Sequence, residues 1–455
     1  MEKLSLKRIA EAIGADYSGE DILISGVCTD TRKIETGSLF VAISGERFDA
    51  HNFIGEAERK GAIACVCQKK VESTVPVLYV EDTRKAFLDI AGYYRSLFDI
   101  PLVGITGSVG KTTTKEFIAL ALSARYKTLK TEGNLNNDIG MPTTLLKLDR
   151  SYQAAVIEMG MNHFGEIHNL TLRSRPTMGV ITNIGVSHIE NLGSREGILK
   201  AKLEILDGMA AEAPLLLNAD NDLLGTVKLT DRKCYYFGIH SPQADFKASD
   251  IVLDGVGTRF VIAYQEKNHP AFIPTVGEHN VLNALCAFAV GVLNGIEAEA
   301  VIRKLSEYVP AGRRQKLVDC GDFRVIEDCY NASPDSMRAA IGTLTQTGAP
   351  KTIAVLADML ELGDYGERMH REVGAFAAAQ RVDVLLCYGD EARFYCEQAL
   401  ADGIGKARHF GDKDSLLEAI IEEMEQGSVI LFKGSHGMHL EEVIEKLYER
   451  KGIKK

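Results

Sequence analysis

The chain has 455 residues, 45% apolar and 25% charged, an ordinary globular balance with length for about three domains. Its net charge of −11 excludes the basic footprint that nucleic-acid binders and anionic-membrane binders need, so neither partner is expected. A phosphorylated small substrate is not excluded, because it requires only a local pocket.

The N-terminal stretch MEKLSLKRIAEAIGADYSGE is interrupted by charge every few residues and does not read as a signal peptide. No apolar run approaches the length of a membrane span. The nine cysteines are odd in number and scattered, which reads as reduced core thiols in a cytoplasmic protein.

The first hundred residues hold short strand-like runs (SLFVAIS, AIACVCQ, VPVLYVED) among helical patterns, and KAFLDIAGYYRSLF reads as the closing helix. From IPLVGITG onward strands and helices alternate. IPLVGIT, AAVIEMG, TMGVITNIG and PLLLNAD are the strands, with helices from the glycine loop, around 165–172 and around 194–209. Continuous apolar strands between helices imply a parallel sheet covered on both faces. KCYYFGIH, FKASDIVL, TRFVIAYQ and AFIPTV read as antiparallel strands, and EHNVLNALCAFAVGVLNG returns to helix. After VPAGRRQKL, the strands FRVIEDCYN, KTIAVLADM, DVLLCYGD and SVILFKGS alternate with helices, a second doubly wound pattern without a dinucleotide fingerprint. The expected organisation is α/β throughout. A small N-terminal α/β domain covers 1–98, and a central phosphate-loop domain with a parallel sheet and antiparallel extension covers 99–312. A Rossmann-like C-terminal domain covers 313–455.

VGITGSVGKTTTKEF, residues 103–117, resembles a nucleotide loop with its first glycine displaced: Ile105 stands where G-x-x-x-x-G-K-[ST] places glycine. The loop still joins a buried strand to a helix, where backbone N–H groups and the helix dipole favour an anion. Thr106, Gly107, Ser108, Val109, Gly110, Lys111, Thr112 and Thr113 are therefore candidate ATP ligands. Gly107 and Gly110 allow close approach, Lys111 supplies charge, and the Thr112 hydroxyl suits Mg2+. The loop alone specifies ATP and no reaction.

Glu158 ends the strand AAVIEMG, at the sheet edge where ligands bind. His188 follows the next strand. The two could share a magnesium ion, although imidazole is an unusual ligand for so hard a cation, and a plain loop histidine is an equal reading. Lys200 and Lys202 lie on one helix pattern, where lysines are ordinarily solvated.

Taken together, TGSVGKTTTKEF, EMGMNHFGEI, TNIGVSHIENLGS and GEHNVLNALCAFAV resemble the Mur ligases, ATP-dependent amide-bond formers of peptidoglycan synthesis. The shifted loop is the form that superfamily uses. The stretches CTDTRKIETGSLFVAISGERFDAHNFI, NLNNDIGMP, DCYNASPDSM and LADMLELGDYGERMHREVG extend the likeness from about residue 25 to KGSHGMHLEEVI. The resemblance implies that a UDP-N-acetylmuramoyl-tripeptide carboxylate takes the γ-phosphoryl of ATP. The resulting acyl phosphate is then attacked by the amine of D-alanyl-D-alanine. The substrates would be those two molecules and the chain a monomer. The third-amino-acid-adding ligase and folylpolyglutamate synthetases remain alternatives, as do, outside ligation, an ATPase switch and a non-catalytic UDP-sugar-binding scaffold.

The resemblance also implies roles. Lys111 and Thr112 would hold the β/γ-phosphates and one Mg2+, and Glu158 and His188 a second. Lys202, rather than Lys200, would be the lysine carbamylated in related ligases, turning a cation into an oxygen ligand. Asn280, next to His279, would read adenine, and Arg313 would reach the γ-phosphate across the domain cleft. Asp328 would bind ribose, with Tyr330 and Asn331 lining the nucleotide. Thr31 and Arg32 would meet the uridine diphosphate in the N-terminal domain; Asn134, Asn136 and Asn137 the stem peptide; Asp358 and Glu361 the incoming dipeptide. Thr31, Ala50, Ser333 and His436 depart from the usual residues, and the role of His436 is not implied. Residues from the second and third domains would meet around ATP, so closure is expected to assemble the site.

Overall fold

The computed structural model describes residues 1–45, 48–254, 257–310, 312 and 314–453. Its N-terminal region pairs Leu4–Ser5 with Leu23–Ile24. It then builds a parallel sheet from Gly26–Cys28, Ser38–Val41, Ala62–Cys67 and Val77–Tyr79 in sequence order. The helix Thr83–Arg95 starts where the Asp82 carboxylate caps the Arg84 and Lys85 N–H groups. It buries Phe87, Ile90 and Tyr94. The same helix ties this region to the next: Asp89 pairs with Arg173 at 2.8 Å, and Arg95 Nε donates to Ser174 O at 3.1 Å.

Among the described residues the central sheet has nine strands. Leu102–Thr106 runs parallel between Ala154–Glu158 and Met178–Ile181, with Thr128–Lys130 at one edge and Leu215–Asn218 beyond Met178–Ile181. All five residues of Leu102–Thr106 are buried, as its apolar run requires. The extension Phe246–Asp254, Gly257–Tyr264 and Lys267–Ile273 is antiparallel as expected. KCYYFGIH is not: Cys234–Gly238 lies parallel to Leu215–Asn218 and to the start of Phe246–Asp254. The connection through residues 219–233 crosses back to the same edge of the sheet, which a hairpin turn would not do. The expected helix around 194–209 is α-helical only over Arg195–Leu203 and tightens to 3-10 over Glu204–Gly208. There the Glu204 carboxylate turns to accept the Gly165 and His168 N–H groups at 2.8 and 3.1 Å.

Helix Glu278–Leu293, almost wholly buried, packs along helix Lys111–Leu122 that follows the glycine loop. The C-terminal sheet runs Lys316–Asp319, Arg324–Asp328, Val429–Lys433, Thr352–Ala357, Val384–Tyr388, Ala407–Phe410, parallel except for its first pair. Apolar clusters fill both of its faces. The three-domain α/β architecture is as expected. All nine cysteines are free. Among the described residues no helix is long and apolar enough to cross a membrane.

Candidate active site

The displaced glycine is explained by packing. Gly104 belongs to the strand, where a Cβ would stand 2.8 Å from Pro176 Cγ. Gly107 and Gly110 form the loop with φ of +151° and +82°, and a Cβ on Gly107 would meet Thr182 Oγ1 at 1.9 Å. The loop is fastened to the segment after the next strand. Ser108 N–H donates to Asn183 O at 3.1 Å, Val109 N–H to Asn183 Oδ1 at 2.8 Å, and Thr182 Oγ1 to Val109 O at 2.7 Å. Lys111 Nζ donates to Gly107 O at 2.8 Å, folded back over the loop. Burial lowers its pKa, Glu158 opposes that, and Arg314 adds to it.

Glu158 is buried at its strand end. Its Oε1 accepts from Asn136 Nδ2 at 2.8 Å, and its Oε2 has no hydrogen-bond partner, with Lys115 Nζ at 3.8 Å. His188 takes a left-handed φ of 64° at the start of Ile189–Leu192. Burial, then the charges of Lys111 and Lys202, push its pKa down to about 4, so the imidazole is neutral near pH 7. Lys202 is buried. Burial, then Lys111, hold its pKa well below the usual lysine value, whereas Lys200 is exposed beside the Phe164 ring.

A cavity of about 400 Å³ joins the central and C-terminal regions. The loop residues Ser108–Thr113 line it with Asn134, Asn136, Glu158, Asn280, Asp328, Tyr330 and Asn331. Asn280 is buried, donating to Val276 O at 2.8 Å and accepting from Asn283 at 3.2 Å. Asn283 Oδ1 accepts from Thr114 Oγ1 at 2.9 Å, linking this helix to the one after the loop. Asp328 accepts from the buried Lys433 ammonium at 2.8 Å, and Lys433 also donates to Asn331 O at 2.9 Å. The Arg314 guanidinium lies 3.7 Å from the Tyr330 ring centroid, and the His436 ring stacks on Tyr330 at 5.9 Å. Arg313 lies outside the described residues.

Of the eight buried side-chain polar atoms without a hydrogen-bond partner among the described residues, six lie in or beside this cleft. They are Thr106 Oγ1, Lys115 Nζ, Glu158 Oε2, His279 Nε2, Gln315 Oε1 and Asp335 Oδ2. Such a concentration of orphans marks a site that a polar ligand completes. No group of three or more His, Cys, Asp or Glu side chains among the described residues could hold a metal by itself. Of the expected ligands Thr112 and Glu158 line this cleft and His188 does not, so a cation here would need phosphate oxygens alongside Thr112 and Glu158. That matches the habit of Mg2+ to combine one or two carboxylates with substrate phosphate.

Other expected residues lie apart. Asn137 Oδ1 caps Gly140 N–H at 2.8 Å at the start of helix Gly140–Leu145, and only Asn134 and Asn136 line the cleft. Asp358 is buried, accepting from Ala392 N–H at 2.7 Å, and neither it nor Glu361 lines the cleft. Thr31 and Arg32 line a second cavity, of about 610 Å³, with Asp30, Phe40, Phe48, Phe53 and Glu56. There Thr31 Oγ1 donates to Glu56 at 2.9 Å, and Arg32 pairs with Asp30 at 2.8 Å. That pair holds the Asp30 pKa down to about 2. Phe48 and Phe53 stack at 5.1 Å, an apolar platform beside polar groups.

Sequence reasoning passed over Arg314, Gln315, Asn283, Lys433 and Lys115. The double arginine and the two asparagines three apart on an apolar helix were readable signals. The two lysines were not, since nothing local separates a buried lysine from a solvated one.

Three family descriptions match the chain: "Mur ligase family, catalytic domain" over residues 23–95, "Mur ligase middle domain" over 105–291, and "Mur ligase, glutamate ligase domain" over 312–436. A Bacillus subtilis protein named UDP-N-acetylmuramoyl-tripeptide--D-alanyl-D-alanine ligase is 40% identical, covering 99% of both chains. The crystal structure of MurF from Acinetobacter baumannii superposes with a TM-score of 0.91 at 31% identity, covering 99% of each chain. That of MurF ligase from Thermotoga maritima in complex with ADP gives 0.86 at 26% identity, covering 94% of this chain and 97% of its own.

Proposed function

The chain belongs to the Mur ligase family, and from that premise we propose that it joins D-alanyl-D-alanine to UDP-N-acetylmuramoyl-tripeptide with ATP as the energy source. Domain limits of 1–98, 99–312 and 313–455 are part of the same proposal, as are a monomeric state and a cytoplasmic location. The observation that carries the reading is the cleft itself. A phosphate loop and a buried carboxylate face Arg314, Asp328 and Tyr330 of the C-terminal region, while a separate aromatic cavity lies in the N-terminal region.

The chemistry follows from the charges to be managed. Loop N–H groups between Gly107 and Thr112 receive the β- and γ-phosphates, and Lys111 leaves the Gly107 carbonyl to meet them. Arg314, held over Tyr330, is the described arginine nearest in kind to the role expected of Arg313. Asp328, fixed by Lys433, accepts from ribose hydroxyls, and Asn280 faces the base. Thr112, Glu158 and His188 would hold Mg2+, which when bound screens the anions and polarises the γ-phosphoryl oxygens. Lys202 is buried, and burial, then Lys111, hold its pKa well below the usual lysine value, which favours the neutral amine whose lone pair adds to CO2. The N–C bond forms as the neutral amine adds, one proton leaves the nitrogen, and a carbamate oxygen stands where the amine was.

The tripeptide carboxylate oxygen attacks the γ-phosphorus and ADP leaves. The dipeptide amine attacks the acyl phosphate carbonyl, phosphate leaves, and the nitrogen loses its proton. Water must stay out of the first product, which a cleft shared between two domains achieves when shut. The test is a substrate panel: phosphate release should require tripeptide and D-alanyl-D-alanine together. Turnover with the dipeptide precursor and diaminopimelate or lysine would instead assign the preceding step.

A further inference from the structure

Asp335 stands in the first turn of helix Pro334–Gln346, in the C-terminal region, yet its carboxylate presses on the central region. A Cβ on Gly185 would lie 2.0 Å from Asp335 Oδ2 and 3.2 Å from its Cγ, while the nearest atom of the central region is Ser108 Cβ at 3.3 Å. Gly185 has no left-handed φ, so its backbone does not demand glycine. The neighbouring carboxylate instead occupies the space a Cβ would need. Asp335 Oδ1 is drawn to Arg338 at 3.5 Å on its own helix, which leaves Oδ2 buried against Gly185 without a hydrogen-bond partner. Burial raises the carboxyl pKa, and Arg338, Arg195 and the Val186 N–H oppose that rise.

The segment under Asp335 is the one that holds the phosphate loop. Gly185 N–H donates to Ser108 Oγ at 3.0 Å, beside the three bonds that Thr182 and Asn183 make to Ser108 and Val109. The Arg195 guanidinium fixes Ile184 O at 2.9 Å, and the same segment ends at His188. One carboxylate from the third domain thus sits on a short hydrogen-bonded segment that reaches both the phosphate loop and the candidate metal ligand.

We propose that Asp335 is a positioning residue that reports docking of the C-terminal domain to the phosphate loop. Seated on Gly185, it holds residues 182–188 and, through them, Ser108 and Val109 in the phosphate-binding arrangement. Phosphoryl transfer is thereby tied to the presence of the third domain. The proposal rests on the ligase reading above.

The test is a double-mutant cycle of Gly185→Ala and Asp335→Ala, read as kcat for acceptor-dependent phosphate release, affinity for an unhydrolysable ATP analogue, and radius of gyration with that analogue bound. Gly185→Ala should lower kcat about 30-fold in the wild-type background and less than about 3-fold when Asp335 is alanine, because the clash is then gone. Analogue affinity should fall in the wild-type background and less when Asp335 is alanine, because Asp328, Tyr330 and Asn331 of the C-terminal domain line the nucleotide cleft. The analogue-bound Gly185→Ala protein should be more extended than wild type, and the double variant should not exceed Asp335→Ala. Equal losses in both backgrounds, or none in either, overturn the proposal. Asp335→Glu presses on the same contact from the other domain and should lower kcat about 10-fold; full turnover in that variant is equally contrary. If the wild-type protein does not ligate, the ligase reading fails, and the scattering comparison still decides whether Asp335 controls docking.

Discussion

Replacing Asn136 with alanine removes the hydrogen bond of 2.8 Å from its amide to Glu158 Oε1. The resemblance implied that Asn136 binds the stem peptide, whereas the structure has it gripping the carboxylate of a candidate metal ligand. The acceptor is buried, and its other oxygen has no hydrogen-bond partner among the described residues, with Lys115 Nζ at 3.8 Å. Losing a hydrogen bond to a charged, buried group costs about 1.5–3 kcal/mol. If that stabilisation is needed only for the reacting geometry, kcat falls about 10- to 150-fold. The assay is steady-state ligation with each substrate varied in turn, together with binding of Mn2+ in the presence of ADP. The expected result is a lowered kcat, weaker Mn2+ binding, and a KM for the UDP-tripeptide within about 2-fold of wild type. A raised tripeptide KM with kcat intact would instead place Asn136 on the substrate.

Lys111→Ala should abolish ligation, about 10³-fold or more, with the fold intact by circular dichroism, because no other described side chain enters the loop from its helix with charge. Retained turnover would remove the loop from the mechanism. Lys202→Ala should be inactive and partly restored by short carboxylic acids that supply the missing carbamate oxygens; absence of rescue in a folded protein counts against carbamylation. His279 is buried with its pKa pushed down from 6.5 to about 4, first by burial. Its unfolded form binds the proton earlier, so its contribution is intact above pH 6.5 and about 3 kcal/mol is lost as pH falls through 4. Urea unfolding of wild type and His279→Gln between pH 7 and 4 checks this, the variant losing less stability; equal losses would contradict it.

The frame of the site was legible because local chemistry wrote it. IPLVGIT is apolar throughout, the glycines follow, and TTTKEFIALAL supports a helix, so the loop lies where strand meets helix. Glu158 was readable for a similar reason, as a carboxylate closing a fully apolar strand. Pairing direction was not, since Cys234–Gly238 carries the same residues whether its neighbours run parallel or antiparallel. The short strands Lys316–Asp319 and Ala407–Phe410 are half-exposed and charged, and only their sheet partners define them. Lys433 and Lys115 became site residues through contacts with Asp328 and Glu158, more than a hundred and about forty positions away respectively. The asparagines of NLNND read as one polar turn and divide into three tasks: one facing the cleft, one gripping Glu158, one capping a helix. Asp358 looked like a strand-end site acid and proves to be tied to residue 392 by its backbone N–H.

The most direct measurement is phosphate release from ATP by the purified protein against a panel of acceptors and donors. Release, with an equal amount of amide product, is expected only when UDP-N-acetylmuramoyl-tripeptide and D-alanyl-D-alanine are both present. Release without an amine acceptor, or ligation only of an earlier amino acid to the shorter precursor, would contradict that expectation.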